Sequence, residues 1–222
     1  MSKKKEIKID TRYPSVTDLR NRAKKNIPKF AFEYLDGGCN EDVNLHKNTA
    51  EIRQVELLPS YLDKHTHSNM QTELFGHTYD APFGIAPVGL QGLMWPNSPE
   101  ILAKAAFEHN IPFILSTVTT TSIERAAEIT EGKAWFQLYP PRDPETRRDM
   151  LRRAKQSGFS SLILTVDVPV ASRRERQTRS GLTQPPRLTP RLMAQVAQRP
   201  AWAFGMAQRG MPRMRMLDKY ND

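Results

Sequence analysis

The sequence predicts an α/β protein in which consecutive βα units build a parallel sheet behind a helical N-terminal region. Short apolar β-type runs alternate with helical patterns from about residue 80 onward. The runs start near residues 83, 113, 134 and 161, so about 20 to 30 residues separate them, the length of a strand plus its crossover helix. Repeated units of that kind imply parallel pairing. The 222 residues, 38% hydrophobic and 26% charged, suit a folded, soluble domain rather than overall disorder.

The elements follow in order. A helix is expected near Val16 to Asn26 and another over Pro28 to Asp36, closed by Gly37-Gly38 in the manner of a glycine terminus. Residues 55 to 79 form a short β-rich lead-in. Phe83-Gly84-Ile85-Ala86 is the first strand; the next helix, through Ile101, Leu102, Ala105 and Ala106, is capped by Ser98 and opened by Pro99. Phe113-Ile114-Leu115 is the second strand, and Ser122 opens its helix with Glu124 in the first turn, where an acid suits the macrodipole. Trp135-Phe136-Gln137-Leu138 is the third; its helix begins near Pro144 and places Met150, Leu151 and Ala154 on one face. The fourth, Ser161 to Val166, is apolar almost throughout, as a strand covered on both faces should be.

After Pro169 the alternation stops. Residues 180 to 216 hold five of the seventeen prolines and five of the nine methionines, with no credible strand. Three regions result: a helical extension and lead-in over 1–80, four βα units over 81–179, and a basic Pro/Met-rich loop over 180–222. A closed barrel needs eight units and about 250 residues, so the pattern does not close the sheet.

Charge is divided unevenly. From Ala171 to Asp222 eleven Lys/Arg face three acids, which accounts for nearly all of the net +9. A balanced body therefore carries a cationic end. The same end holds Trp202, Phe204, Leu188, Leu192 and the methionines, a composition that suits an anionic bilayer surface. A flexible lid is the competing reading. Nucleic acid is disfavoured, because little aromatic interleaving is available for stacking. No run of about 18 apolar residues occurs, and MSKKKEIKID lacks the apolar stretch of a secretory signal. The single cysteine, Cys39, excludes an internal disulfide and a multi-cysteine zinc site. The expected compartment is the cytoplasm, with peripheral contact on the inner face of the cytoplasmic membrane left open.

In parallel α/β proteins functional groups gather at the carboxyl ends of strands. Those ends here carry Ala86-Pro87-Val88-Gly89, Ser116-Thr117, Gln137-Leu138-Tyr139, and Thr165-Val166-Asp167 followed by Arg173-Arg174. Each is an ordinary loop or cap residue by itself; four polar ends in register suit a polar, partly aromatic ligand.

Those segments bring in a resemblance. "IPKFAFEYLDGG", "FGIAPVG", "ILSTVTT", "FQLYPPRD" and "LTVDVPVASRRE" fall in the order and spacing of the FMN-dependent α-hydroxy-acid oxidases and dehydrogenases, over roughly residues 13 to 220. The resemblance implies a (β/α)8 TIM barrel, here incomplete at about four βα units, with FMN as cofactor and a small 2-hydroxy acid oxidised to the 2-oxo acid. It implies that Ala86, Pro87 and Val88 lie against the flavin ring and that Ser116, Gln137 and Thr165 hydrogen-bond its edge. Tyr34 and Tyr139 correspond to phenols near the substrate, and Arg174 to the arginine that holds its carboxylate, as a planar guanidinium does well. Asp167 resembles the carboxylate that orients a catalytic histidine; by itself, Asp-Val-Pro is also good turn chemistry. Arg173 is the expected solvent-facing neighbour.

The family's second half would supply a lysine near the flavin, the histidine base with its arginine, and the loops that hold the FMN phosphate. None is recognisable here. His46, His65, His67, His77 and His109 all fall early, and His65-x-His67 without a third ligand suggests a solvated loop and no metal site. The chain thus resembles the N-terminal part of such an enzyme, ending within the loop after the fourth strand. Alone it is expected to bind FMN weakly or not at all and to show no turnover. The basic loop favours a quinone or other membrane carrier as electron acceptor, and the full-length enzyme is expected to be a homo-oligomer. The alternative is a non-catalytic truncated product with a basic membrane-binding segment. Neither G-x-G-x-x-G nor G-x-x-x-x-G-K occurs, against dinucleotide and P-loop proteins.

Overall fold

The computed structural model describes residues 10–62, 69–166, 170, 172–183 and 189–220. Helix α1 (Val16–Asn26) starts from a capping box in which Ser15 and Asp18 satisfy each other's backbone N–H groups. Helix α2 (Lys29–Asp36) buries Phe30, Ala31 and Phe32. Gly37 follows it in an extended conformation, φ −83°, so the expected left-handed glycine terminus does not form. The glycine serves a close approach instead: a Cβ there would stand 3.3 Å from Arg176 Cβ. Helix α3 (Val43–Ile52) begins after Asp42, which sits in the left-handed region at φ +61°; the hydropathy pattern did not reveal it, and none of its residues is buried.

Strands β1 (Thr72–Leu74) and β2 (His77–Tyr79) form an antiparallel hairpin. Trp135 Nε1–H donates to Tyr79 Oη at 3.0 Å, and the rings of Phe75 and Tyr79 meet Trp135 edge-on. The hairpin thereby covers the N-terminal end of the main sheet, which comprises β3 (Ile114–Ser116), β4 (Trp135–Leu138) and β5 (Ser161–Leu164), all parallel in that order. The first expected strand shrinks to one parallel bridge, Ile85 to Phe113. Pro82 and Pro87 flank it and have no N–H to give a ladder, leaving Ile85 N–H to Pro112 O and Ile114 N–H to Ile85 O.

Helices α4 (Gln91–Met94), α5 (Ser98–Glu108), α6 (Ile123–Thr130) and α7 (Pro144–Gln156) fill the connections. Ser122 and Asp143 cap α6 and α7 through the N–H groups of Arg125 and Thr146. At α5 the cap is Asn97, not Ser98, because asparagine tolerates the left-handed φ of +58° that starts the helix one residue earlier. The outward residues Leu115, Phe136 and Leu138 pack on Ala103, Ala106, Ile123, Ala126, Met150 and Ala154 in one continuous core. Strand β5 departs from expectation. It is not covered on both faces: Leu162 and Leu164 are 51% and 52% exposed.

The largest correction concerns 180–222. Beyond the short α8 (Glu175–Ser180), the expected loop contains α9 (Pro190–Ala197) and α10 (Pro200–Arg209). Pro190 and Pro200 sit in first turns, where proline's missing N–H costs nothing and its φ is already helical. Leu182, Leu192, Trp202 and Met206 join Ile27, Phe30, Ala31, Phe32, Leu90, Leu93 and Met94 in a second core. Trp202 Nε1–H donates to Leu93 O at 3.0 Å and its ring meets Phe30 edge-on. Gln195 accepts the Phe30 N–H at 2.9 Å and donates to Ser180 O at 3.0 Å, satisfying a donor at the start of α2 that no side-chain cap serves.

Candidate active site

Register creates the site. Ser116 lies opposite Gln137, and Gln137 opposite Ile163, so strand alternation puts Ser116, Gln137 and Thr165 on the face away from the helices. Ser116 Oγ–H donates to Gln137 Oε1 at 3.2 Å, Thr117 N–H to the same oxygen at 3.3 Å, and Gln137 Nε2–H to Thr165 Oγ1 at 2.8 Å. Thr117 Oγ1 donates to Gln137 O at 2.6 Å and accepts the Tyr139 N–H at 2.9 Å. Ser116 and Gln137 are almost wholly buried, and polar groups so placed must be paired; no buried side-chain N or O among the described residues lacks a partner.

Beside this row, Leu90 N–H donates to Val118 O at 2.9 Å, which sets the Ala86-Pro87-Val88 segment next to the end of β3. Ala86 is exposed, Pro87 and Val88 half-buried. A Cβ on Gly89 would fall 2.5 Å from Val118 Cγ2 and 3.4 Å from Tyr34 Oη. Glycine is what lets this segment lie against Val118, and the Tyr34 phenol, carried on α2, reaches the same end of the sheet.

Arg174 joins from the start of α8. Its guanidinium carbon lies 5.1 Å from the Tyr34 ring centroid, Nη2 donates to Tyr34 O at 3.2 Å, and Nη1 donates to Gln177 Oε1 at 3.4 Å. Burial pushes the Tyr34 phenol up, Arg174 pulls it down less, and Tyr139 adds to the rise. Tyr34 therefore remains a neutral donor and acceptor at neutral pH. The Tyr139 side chain is partly exposed, and the Arg173 side chain is 83% exposed.

The structure thus brings Ser116, Gln137 and Thr165 into one hydrogen-bonded row, and Tyr34 and Arg174 into one stack. Asp167 lies outside the described residues, as do His65 and His67. His77 belongs to the hairpin over the opposite end of the sheet, His109 terminates α5 and His46 is exposed on α3. No group of three metal-ligating side chains occurs among the described residues. Sequence reasoning missed Arg176, which looks like one more cation in a basic tail, and named Thr117 only as part of a polar strand end, without the bonds it makes to Gln137 and Tyr139.

The row fits the polar edge of a flavin. Gln137 uses one of its two Nε2 hydrogens in the bond to Thr165, and the Thr165 hydroxyl, accepting there, keeps its own hydrogen, so the pair retains donor capacity of the kind such an edge needs.

The sequence matches the FMN-dependent dehydrogenase family over residues 23–221. The chain belongs to that family, whose cofactor is FMN. It is 38% identical to an L-lactate dehydrogenase of Ectopseudomonas mendocina (strain ymp) over 196 residues, covering 88% of this chain and 52% of that one. An L-lactate dehydrogenase of Vibrio parahaemolyticus is 37% identical with the same coverage. Among solved structures, monotopic membrane protein (S)-mandelate dehydrogenase aligns with a TM-score of 0.85 at 32% identity, over 90% of this chain and 53% of that one. Mandelate oxidase aligns at 0.74 and 32%, over 81% and 51%. The chain spans about half the length of the relatives it matches.

Proposed function

We propose that this chain supplies the N-terminal half of a (β/α)8 barrel that oxidises a small L-2-hydroxy acid, lactate-like or mandelate-like, to the 2-oxo acid. The observation that carries the reading is the Ser116–Gln137–Thr165 row, three strand-end side chains tied into one edge, next to the Tyr34–Arg174 stack. Bound there, FMN supplies a two-electron acceptor. Gln137 and Thr165 would hold its polar edge, and the Ala86-Pro87-Val88 backbone would lie against its ring. Arg174 would grip the substrate carboxylate, with Tyr34 and Tyr139 as phenol donors and Asp167 as the carboxylate orienting a histidine. That histidine, among the described residues, is not at the mouth of this sheet.

The regions proposed are the extension 1–80, the FMN-binding units 81–179 and the basic segment 180–222. Fragment complementation tests the function. The chain is co-expressed with the C-terminal half of the E. mendocina relative, and the complex is assayed for bound flavin and for dye reduction with L-lactate or (S)-mandelate. We expect a yellow, active complex that loses flavin with Gln137→Leu, and a chain that is colourless and inactive alone. Turnover by the chain alone, or a well-folded complex that never holds flavin, sinks the proposal.

A second observation supports peripheral membrane contact. Met193 and Met211 are exposed on the rim of an apolar groove of about 630 Å³, and Phe204 is exposed elsewhere on α10, with Arg191, Arg199, Arg209, Arg213 and Arg215 in the same segment. Among the described residues no helix is long and apolar enough to cross a membrane. The surface would rest on an anionic leaflet and favour a quinone or other membrane carrier as acceptor. Liposome sedimentation should show binding to anionic vesicles that weakens with salt; equal binding to neutral vesicles refutes it.

A further inference from the structure

We infer that Arg176 is a positioning residue: it clasps α8 to α2 so that the Arg174 guanidinium is held over the Tyr34 ring. The inference rests on reading Tyr34 and Arg174 as substrate-binding groups.

The clasp is dense. Arg176 Nε donates to Glu33 Oε2 at 2.5 Å, Nη2 to Asp36 Oδ2 at 2.6 Å, and Nη1 to Asp42 Oδ2 at 2.9 Å and to Asp36 O at 3.1 Å. Glu33 and Asp36 bracket Tyr34 on α2, and Asp42 precedes α3. Asp36 is braced from behind by Arg20 through two bonds of 2.5 and 2.8 Å, and Asp42 accepts the Gly38 N–H at 2.7 Å. Gly37, with no Cβ, lets the arginine stem lie against the chain. Burial works against the charged guanidinium, yet Asp36, Asp42 and Glu33 outweigh it and hold its pKa above the ordinary value.

Arg174 has no comparable anchor of its own. Its bonds to Tyr34 O and to Gln177 are long, and α8 has six residues, too few to be stable without packing. Arg174 therefore points where α8 is seated, and Arg176, two residues on, seats it. A bidentate grip on a carboxylate needs that fixed direction.

The test reads Tyr34 directly and needs no ligand. In the full 222-residue chain, phenol ionisation is followed by ultraviolet difference absorbance, with Tyr34→Phe subtracted. Loss of the nearby cation leaves burial unopposed, so Arg174→Gln should raise the Tyr34 pKa, and Arg176→Gln should do the same. The double variant should go no further than Arg174→Gln alone, and Arg176→Lys should fall between. Should Arg176→Gln not fold, Asp42→Asn removes one partner of three and should give a smaller rise.

An unchanged Tyr34 titration beside a lower melting temperature makes the clasp merely structural. A fall in the Tyr34 pKa means that the site has simply opened. Either overturns the inference. In the complemented enzyme, Arg176→Gln should raise KM for L-lactate about tenfold while kcat moves less. Absence of all activity in the wild-type complex defeats the substrate reading, and the Tyr34 titration still decides the clasp.

Discussion

Gln137→Leu removes the centre of the polar row with little change of volume. Thr117 N–H is buried and its acceptor is Gln137 Oε1; orphaning a buried donor costs about 1–3 kcal/mol. The bond to Thr165 adds about 0.5–1.5 kcal/mol, and Thr165 is half-buried, so water recovers part of it. The Ser116 hydroxyl also loses its acceptor, though it still receives the Val118 N–H. Burying leucine's methyl groups returns roughly 1 kcal/mol. The net loss is about 1–3 kcal/mol, and in a chain of 222 residues each kcal/mol shifts Tm by about 2–4 °C. Circular dichroism melts should therefore show a drop of about 2–12 °C, and urea titrations a lower midpoint at unchanged slope. Thr165→Ala, which breaks only the outer bond, should cost less than about 1 kcal/mol. A leucine variant that melts with the wild type, or a Thr165→Ala variant that melts lower than it, refutes the idea that the amide holds these strand ends together.

Gly89→Ala forces a methyl group into Val118 and should cost about 1–3 kcal/mol by overpacking, read as a lower urea midpoint with a shifted Tyr34 titration. Trp202→Ala empties a fully buried site and loses the bond to Leu93 O; about 3–5 kcal/mol is expected, with protease cleavage within α9 and α10 preceding cleavage in the sheet. Arg20 first, and then Arg176, holds the Asp36 carboxyl below its usual pKa, and Arg176 does so for Asp42. Carboxyls depressed in the folded state stabilise fully above the unfolded value of about 3.9 and lose that contribution as pH falls through the folded values. The urea midpoint should therefore drop on acidification below about pH 4, and more shallowly in Arg176→Gln; parallel curves count against the clasp.

The parallel sheet was legible because Leu115, Phe136 and Leu138 are apolar where the helices cover them and Ser116 and Gln137 are polar where they do not. Helices α1, α6 and α7 were equally plain, α6 from its Ser122 cap and α7 from Pro144 and the face of Met150 and Ala154; the structure adds Ser15 and Asp143 as the caps of α1 and α7. The first strand was overread: the apolar character of Phe83 and Ile85 concealed what Pro82 and Pro87 cost a ladder. Helices α9 and α10 were underread for the converse reason. A proline opens each, and a high proline count looks the same whether the prolines interrupt helices or start them. The apolar run of β5 suggested two covered faces, whereas among the described residues β5 pairs only with β4 and its outer leucines are half exposed. The Arg176 clasp left no local trace, because Glu33, Asp36 and Asp42 lie more than 130 residues away in the chain.

The candidate site is a junction between two separately packed cores. Gln137 and Ser116 belong to the sheet, whose packing runs through α5, α6 and α7. Tyr34 belongs to α2, which is held from one side by Trp202 and Gln195 and from the other by Arg176. The two sets meet where Gly89 permits the approach and where Leu90 N–H reaches Val118 O. Damage to the second core should therefore displace the Tyr34–Arg174 stack while leaving the Ser116–Gln137–Thr165 row intact, and damage to the row should not move the stack. Variants far from both, such as Trp202→Ala, would then perturb the proposed substrate grip before the proposed flavin edge. The basic C-terminal segment is by this route part of the site's architecture, since α9 supplies the acceptor for Phe30 N–H and α10 packs Trp202 against the Phe30 ring.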